Sequence, residues 1–454
     1  MQFKTINPAT EEIIKECEIM PKAKVFEVAK NSRSAFQQWK QLDISERAYY
    51  FRKIAQILRN NKEKYARLMT IEMGKPIKQA LTEIEKCAWS SEIYADNAAK
   101  WLEEEIIHAD GKKHFVTFEP LGVILSVMPW NFPFWQVFRF GIPTLIAGNV
   151  SILKHSNQVP QCALAIESAF KEAGFPGYIF STVITDHSAV AKLIKSDFLQ
   201  GVSLTGSTSA GAKIAEIAGK NLKKVVLELG GSDPFIVLDD ADVELSAKNA
   251  VSARTINSGQ SCIAAKRFII NEKISERFSE IFSKYMSELV VGDPLDMKTD
   301  VGPLVNKDSL TQIEAHVHDA VSKGAKILTG GKRLERKGYF YKPTVLSNIK
   351  SNMRVVTEEV FGPVAPIIVV NDEEEAIKVA NNSEFGLGAS IWTNDENKGL
   401  EIAKKLEVGD VFVNSVVKSD PRIPFGGIKK SGIGRELSKY GLREFVNIKG
   451  INVY

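Results

Sequence analysis

From Gly122 to about residue 425 the chain alternates short, continuously apolar runs with segments of helical period. Runs of that kind suit strands buried on both faces, and strand–helix alternation points to a parallel, doubly wound sheet. The first series is GVILSVM (122–128), NVSILK (149–154), 178–184, 201–205 and 224–229, with a helix expected over 159–173. A second series opens near Gly231 with PFIVL, a helix over 242–258 and KRFII (266–270). The sequence therefore predicts an α/β protein with two doubly wound, Rossmann-like units.

The first third has a different pattern. Ala23–Trp39 repeats apolar residues at helical spacing, and Asp43 with Glu46 forms a capping box for a long helix expected through Met73. Gly74 and Pro76 stop it, and a further helix is expected from Ile77 to about Leu102. Residues 103–119, EEEIIHADGKKHFVTFE, read as a β-hairpin around a polar turn. The tail EFVNIKGINVY alternates like a strand, to be paired with that hairpin or with another subunit.

Composition excludes several classes. The chain has 454 residues, 44% of them apolar and 25% charged, which is ample for two or three domains of about 150 residues each. Its 59 basic and 55 acidic residues leave a net charge of +4, too weak a field to imply nucleic acid or a membrane surface. The most apolar stretch, 121–153, is broken by Pro129, Pro133, Arg139 and Pro143, whereas a membrane span needs about 20 unbroken apolar residues. The N-terminal MQFKTINPATEEIIKE has no apolar core, so no secretory leader is expected. Cys17, Cys87, Cys162 and Cys262 include no CxxC pair, which fits a reducing cytoplasm and gives no metal site.

Single residues then become candidates. Cys262 sits in NSGQSCIAAKR, where Gly259 and small neighbours let a ligand approach the backbone. A thiol is a strong nucleophile once its pKa falls or a base is near. The other three cysteines read as structural. A Cys–His hydrolase is the usual alternative, yet none of the six histidines stands in a motif-like setting. Glu228 ends an apolar strand before Gly230 and Gly231, so desolvation could raise it into the range of a base. Its place 22 residues after Gly206 also suits a ribose-binding acid. The segment Gly206–Gly211, GSTSAG, opens a helix whose amides could bind pyrophosphate. Asn131, rigidly set between Pro129 and Pro133, could stabilise an oxyanion. Lys154 lies at the carboxyl edge of its strand, where open α/β sheets bind ligands.

The ordered set PWNFP, LKHS, TGSTSAG, LELGGSDP, GQSC, EEVFGP and PFGGIKKSGIGRE resembles the aldehyde dehydrogenase superfamily from about residue 5 to the C-terminus. Within it, MPWNFPFWQVFR, LKHSN and the compact length are most similar to the bacterial NAD(P)-dependent succinate-semialdehyde dehydrogenases. The resemblance implies Cys262 as nucleophile, Asn131 with the Cys262 amide as oxyanion hole, and Glu228 as the base for deacylation, displacing the ribose reading. It implies that Trp130, Lys154, Ser156, Asn157, Gly206 and Ser207 contact the cofactor. Gly211, Leu229, Glu359 and Phe361 join them.

Two departures carry consequences. Many NAD-preferring relatives have a glutamate where this chain has Asn157, so no carboxylate repels a 2′-phosphate and NADP is expected to serve as well as NAD. Some relatives have a second cysteine two residues after the nucleophile; here Ala264 stands there, and no local disulfide switch is expected. For an acidic aldehyde, Arg139 corresponds to a carboxylate-binding arginine, with Arg254, Ser419 and Phe425 as further substrate contacts. The implied reaction is NAD(P)-dependent oxidation of succinate semialdehyde to succinate through a thiohemiacetal and a thioester. A broad-range dehydrogenase for neutral aldehydes is the alternative, and a catalytically silent binding relative is opposed by the intact Cys262, Glu228 and Asn131. The implied organisation is a cofactor domain in two parts (1–102 and 121–230), an oligomerisation hairpin (103–120), a catalytic domain (231–430) and a C-terminal oligomerisation segment (431–454). The partners expected are a small aldehyde and further copies of the chain, as homodimer or homotetramer, in the cytoplasm.

Overall fold

The computed structural model describes residues 2–454. Two sheets dominate it, one of six strands and one of seven. The six-stranded sheet runs in the order Gly432–Ile433, Lys224–Glu228, Gly201–Thr205, Val123–Met128, Val150–His155, Phe180–Thr182. All its pairings are parallel except that of the short edge strand 432–433, which comes from near the end of the chain. The order reverses at Val123–Met128, so a crevice opens at the carboxyl ends of 123–128 and 201–205, where doubly wound sheets bind ligands.

The seven-stranded sheet runs Lys326–Thr329, Thr344–Ser347, Val364–Val370, Ala265–Asn271, Asp233–Val237, Gly388–Trp392, Asp410–Val413. Only its first pair is antiparallel. Strand 233–237 shows why its sequence is apolar throughout. Phe235 and Val237 enter a cluster with Phe268 and Phe282, while Ile236 enters one on the opposite face with Ile269 and Ile391. Both faces are covered, so polar alternation has no place.

The N-terminal helices pack on the six-stranded sheet and close it with specific bonds. Trp39 and Arg47 each donate to a carbonyl at the end of helix Trp135–Ile146, those of Leu145 and Ile146, at 2.8 Å. Those acceptors lie in the last turn, whose carbonyls the helix itself leaves under-satisfied. The capping box at Asp43 and Glu46 is present. The single long helix expected through Met73 is two, Ile44–Asn60 and Lys62–Met73. Asn61 divides them, its amide donating back to the Ile57 carbonyl at 3.1 Å, the local competition with helix bonding that asparagine provides. The strand expected over 178–184 shrinks to Phe180–Thr182, because Tyr178 takes a left-handed φ of 67°.

Residues 105–107 and 113–120 form the expected hairpin, and Val446–Val453 adds to it antiparallel along eight paired positions. The C-terminal strand thus pairs with its own chain. Among the described residues no helix is long and apolar enough to cross a membrane, and no group of three or more His, Cys, Asp or Glu is set to hold a metal ion.

Asn149 ties these parts together. It is fully buried; its oxygen accepts from the Gly122 amide and its nitrogen donates to the Phe445 carbonyl, both at 2.9 Å. Asn149→Ala leaves both groups unsatisfied and is expected to cost about 1–3 kcal/mol. The check is a lower urea midpoint at unchanged slope.

Candidate active site

Cys262 follows helix Val243–Thr255 and a tight turn, Ile256–Gly259. Three successive residues of that turn are left-handed: Asn257 at φ 52°, Ser258 at 57° and Gly259 at 78°. A Cβ at Gly259 would overlap the Gly362 backbone, so only glycine fits there. Two fully buried cations hold the turn. Arg254 donates to the carbonyls of Gly259 and Ala265 at 2.8 Å and of Val360 at 3.3 Å. Lys266 donates to those of Ser261 at 2.9 Å, Cys262 at 2.7 Å and Ala264 at 3.2 Å.

Asn131 spans from the first sheet to this loop. Its side-chain amide donates to the Gln260 carbonyl at 3.2 Å, and its main-chain carbonyl accepts from Asn257 at 2.7 Å. Gln136, one turn into the next helix, donates to the Asn131 oxygen at 3.0 Å. That bond fixes which end of the amide is the donor. Gln136 and Lys266 were missed in the sequence. The only signal for Gln136 is a polar residue in an otherwise apolar helix face.

Cys262 stands between two cavities. One, of about 390 Å³, is lined by Trp130, Asn131, Gly206, Ser207, Leu229, Glu359 and Phe361 among others. It occupies the crevice at the point where the strand order reverses. Trp130 and Phe361 meet edge to face across it, ring centres 5.8 Å apart. Glu359 is held by the Gly231 amide at 3.0 Å and lies 3.6 Å from Lys266. Ser207 caps helix Thr208–Lys220, leaving that helix's N-terminus at the cavity. Lys154, at the end of the neighbouring strand Val150–His155, and Ser156 and Asn157 just beyond it do not line this cavity. Lys154 has no carboxylate in ion-pair range among the described residues and donates to the Asn157 oxygen at 3.4 Å. Gly211 is a correction: it is buried behind the cavity, where a Cβ would press on the Leu229 side chain at 2.5 Å. It sets the packing of helix on strand and lines nothing.

The second cavity, of about 530 Å³, is lined by Phe132, Trp135, Gln136, Arg139, Ser419 and Phe425, with several lysines. Ser419 and Phe425 thus line a cavity that reaches Cys262. Arg254 does not: it is wholly buried in its carbonyl bonds and lines neither cavity. The expectation of a substrate contact there is corrected. Arg139 does reach the wall, but its guanidinium pairs with buried Glu436, donates to Thr205 at 3.2 Å and lies over the Phe425 ring at 4.7 Å. The arginine that corresponds to a carboxylate-binding one thus already has a carboxylate partner, from the far end of the sequence.

The model of the aldehyde dehydrogenase family matches residues 1–451. The chain belongs to that family. It is 47% identical to a probable NADP(+) succinate-semialdehyde dehydrogenase of Synechocystis, over 99% of both chains. It is 43% identical to the NAD(P)+ succinate semialdehyde dehydrogenase of Escherichia coli, over 98% of this chain and 97% of that one. The succinic semialdehyde dehydrogenase of Streptococcus pyogenes, solved with NADP+, superposes with a TM-score of 0.97 at 37% identity over 99% of each chain.

In this aldehyde dehydrogenase Cys262 sits in surroundings that favour the neutral thiol. Burial pushes the Cys262 thiol up to about 12, with Arg139 and Lys266 opposing it. Of the two routes to a reactive sulfur, a lowered pKa and a nearby base, the site is built for the second. Glu228, at the end of strand 224–228, is 2% exposed and neither of its oxygens has a hydrogen-bond partner. Burial raises its carboxyl well above the usual range; Arg139 opposes this and Glu436 adds to it. Such a carboxyl can take a proton from a thiol or a water.

Removing one oxyanion donor costs about 10²–10³ in kcat, and Asn131→Ala should fall in that range. Gln136→Leu keeps the donor but frees its orientation, so a smaller loss in kcat is expected, with KM for the cofactor unchanged. Steady-state rates at saturating aldehyde read both.

Proposed function

We propose that this enzyme oxidises succinate semialdehyde to succinate, with NADP as hydride acceptor and NAD as a weaker one. The observation that carries the reading is the pairing of a buried Cys262–Glu228–Asn131 centre with a roomy second cavity that carries cationic side chains. The names of the relatives at 43–47% identity support the substrate.

The residues of the first cavity fit a dinucleotide. The helix N-terminus at Ser207 suits its pyrophosphate. Lys154, with no carboxylate partner, suits a ribose hydroxyl or 2′-phosphate, and Ser156 and Asn157 add neutral donors without a repelling charge. His155 adds none: burial lowers it to about 4, and it stays neutral. Glu359 and Phe361 would hold the nicotinamide end. When bound, the nicotinamide accepts the hydride lost by the aldehyde carbon.

The chain's own groups do the rest. Glu228 takes the Cys262 proton as sulfur bonds to the carbonyl carbon. The oxygen gains a negative charge at the Asn131 amide and the Cys262 main-chain amide, where the donors already stand. As the oxyanion collapses, hydride leaves and a thioester remains. Glu228, its first proton passed to solvent, takes one from water. Water oxygen bonds to the acyl carbon, the carbon–sulfur bond breaks, and the acid leaves.

We read the three-stranded sheet as the surface that joins copies of the chain into a dimer or tetramer. Ile107 and Ile448, 47% and 63% exposed, share one of its faces by register, an apolar face that favours cover. Four free cysteines fit a reducing cytoplasm.

Initial rates test the substrate. With saturating NADP, kcat/KM for succinate semialdehyde should exceed that for butanal at least tenfold, and NADP should exceed NAD. Equal or reversed aldehyde preference would discard the semialdehyde reading and leave a broad-range dehydrogenase. For Glu228→Gln, steady turnover should fall sharply while a first-turnover burst of reduced cofactor remains. The burst should quicken as pH rises, because the thiolate fraction grows about tenfold per unit below the thiol pKa. Loss of the burst at every pH would contradict a role confined to deacylation, and unchanged steady turnover would overturn the role in deacylation.

A further inference from the structure

The second cavity carries five basic side chains, and their partners separate them. Lys78 pairs with Asp300 at 2.5 Å, Lys248 with Glu244 at 3.4 Å, and Arg139 with Glu436. Lys418 is exposed at the rim. Lys86, on helix Ile77–Trp101, differs from all four. Its ammonium has no carboxylate in ion-pair range among the described residues. It donates to the Ser419 hydroxyl at 2.7 Å and lies over the Trp135 ring at 4.4 Å.

The carboxylates nearest to it are already engaged. Glu83 accepts from the Phe134 and Trp135 amides at 2.9 Å and pairs with buried Lys75. Asp420 is held by Arg422 at 2.6 Å and 2.9 Å. Trp135 donates its ring N–H to the same Ser419 oxygen at 3.1 Å. The Ser419 oxygen thus receives two donors, and its own hydrogen is free to turn toward a ligand. Ammonium, hydroxyl and indole face are assembled in a wall whose two carboxylates, Glu83 and Asp300, are both held by other partners.

We infer that Lys86, with Ser419, is the group that selects a carboxylate-bearing aldehyde: it binds the distal carboxylate while the aldehyde carbon reaches Cys262. This rests on the semialdehyde reading above. A desolvated ammonium with a free bond direction binds an anion more strongly than a guanidinium already paired. Arg139 then shapes the wall and orders Glu436, and the deciding charge comes from a different helix.

Burial lowers Lys86 to about 8, with Arg139 lowering it further and Cys87, Glu83 and Asp420 opposing. The groups facing it are thus Glu83 and Cys87 on its own helix, Arg139 on the helix behind, and Asp420 and Lys418 on the loop that carries Ser419. The charged form prevails below that pH and is lost above it, so carboxylate binding should weaken as pH rises through about 8. Arginine in its place would stay charged.

The test compares wild type, Lys86→Met and Lys86→Arg with succinate semialdehyde and butanal at saturating NADP. The readout is the ratio of the two kcat/KM values. Lys86→Met should lower the wild-type ratio tenfold or more; a smaller change overturns the role of Lys86. If wild type itself shows no preference for the acidic aldehyde, the substrate reading fails, and it fails independently of the variant. Should Lys86→Met not fold, the second measurement decides. KM for succinate semialdehyde between pH 7 and pH 9 should rise in wild type and stay flat in Lys86→Arg. Parallel curves in the two proteins overturn the inference.

Discussion

Two buried cations hold the reactive loop, and the site depends on them. Arg254 and Lys266 reach the main-chain carbonyls of residues 259, 261, 262, 264 and 265. A buried ammonium or guanidinium is costly unless its donors are met. Here carbonyl dipoles meet them, and Lys266 adds a loose pairing with Glu359 at 3.6 Å. The charges thereby fix a loop whose three left-handed residues would otherwise relax. The same Glu359 lines the first cavity, so the position of the nucleophile and that of a dinucleotide-facing carboxylate are set by one lysine.

Around that loop the enzyme keeps its acids and bases out of their ordinary protonation ranges. Cys262 rises because it is buried. Glu228 rises for the same reason, with no donor on either oxygen. Raising both groups together narrows the gap a proton must cross from the thiol to the carboxylate form of Glu228, whereas an ordinary carboxylate would be too weak a base for so weak an acid. Arg139 and Glu436 sit at the edge of this arrangement as a paired charge, which damps the field of each at the reacting atoms.

Much of this was legible in the sequence, and the exceptions have physical reasons. The parallel strands were readable because burial on both faces leaves them apolar at every position, as Phe235, Ile236 and Val237 illustrate. The nucleophile was readable because Gly259 marks a close backbone approach. What failed depended on distant partners. Arg139 could be read either as a carboxylate anchor or as half of an ion pair, and its partner Glu436, at the other end of the chain, could not be seen. Arg254 looked like a ligand contact because nothing in its neighbourhood shows that three carbonyls converge on it. The division at Asn61 and the left-handed Tyr178 are single-residue effects that periodicity does not register. Lys86 gave no signal at all; its interest arises only from which lysines around it have acidic partners.

The edge strand Gly432–Ile433 pairs with Lys224–Glu228 beside the carboxylate that the chemistry needs. The Phe445 carbonyl completes the bonding of Asn149, and Val446–Val453 completes the hairpin sheet. Every one of these closing contacts comes from residues 432–453, late in the sequence. The sheet begun at Val123 therefore cannot be finished in the order of synthesis. During translation its edge at 224–228 stays open while the whole seven-stranded unit is made. Such a chain has long-range closure built in, which slows folding and leaves a bare strand edge exposed meanwhile. The seven-stranded sheet is thus threaded between the strands of the six-stranded one, which is closed only by strand 432–433.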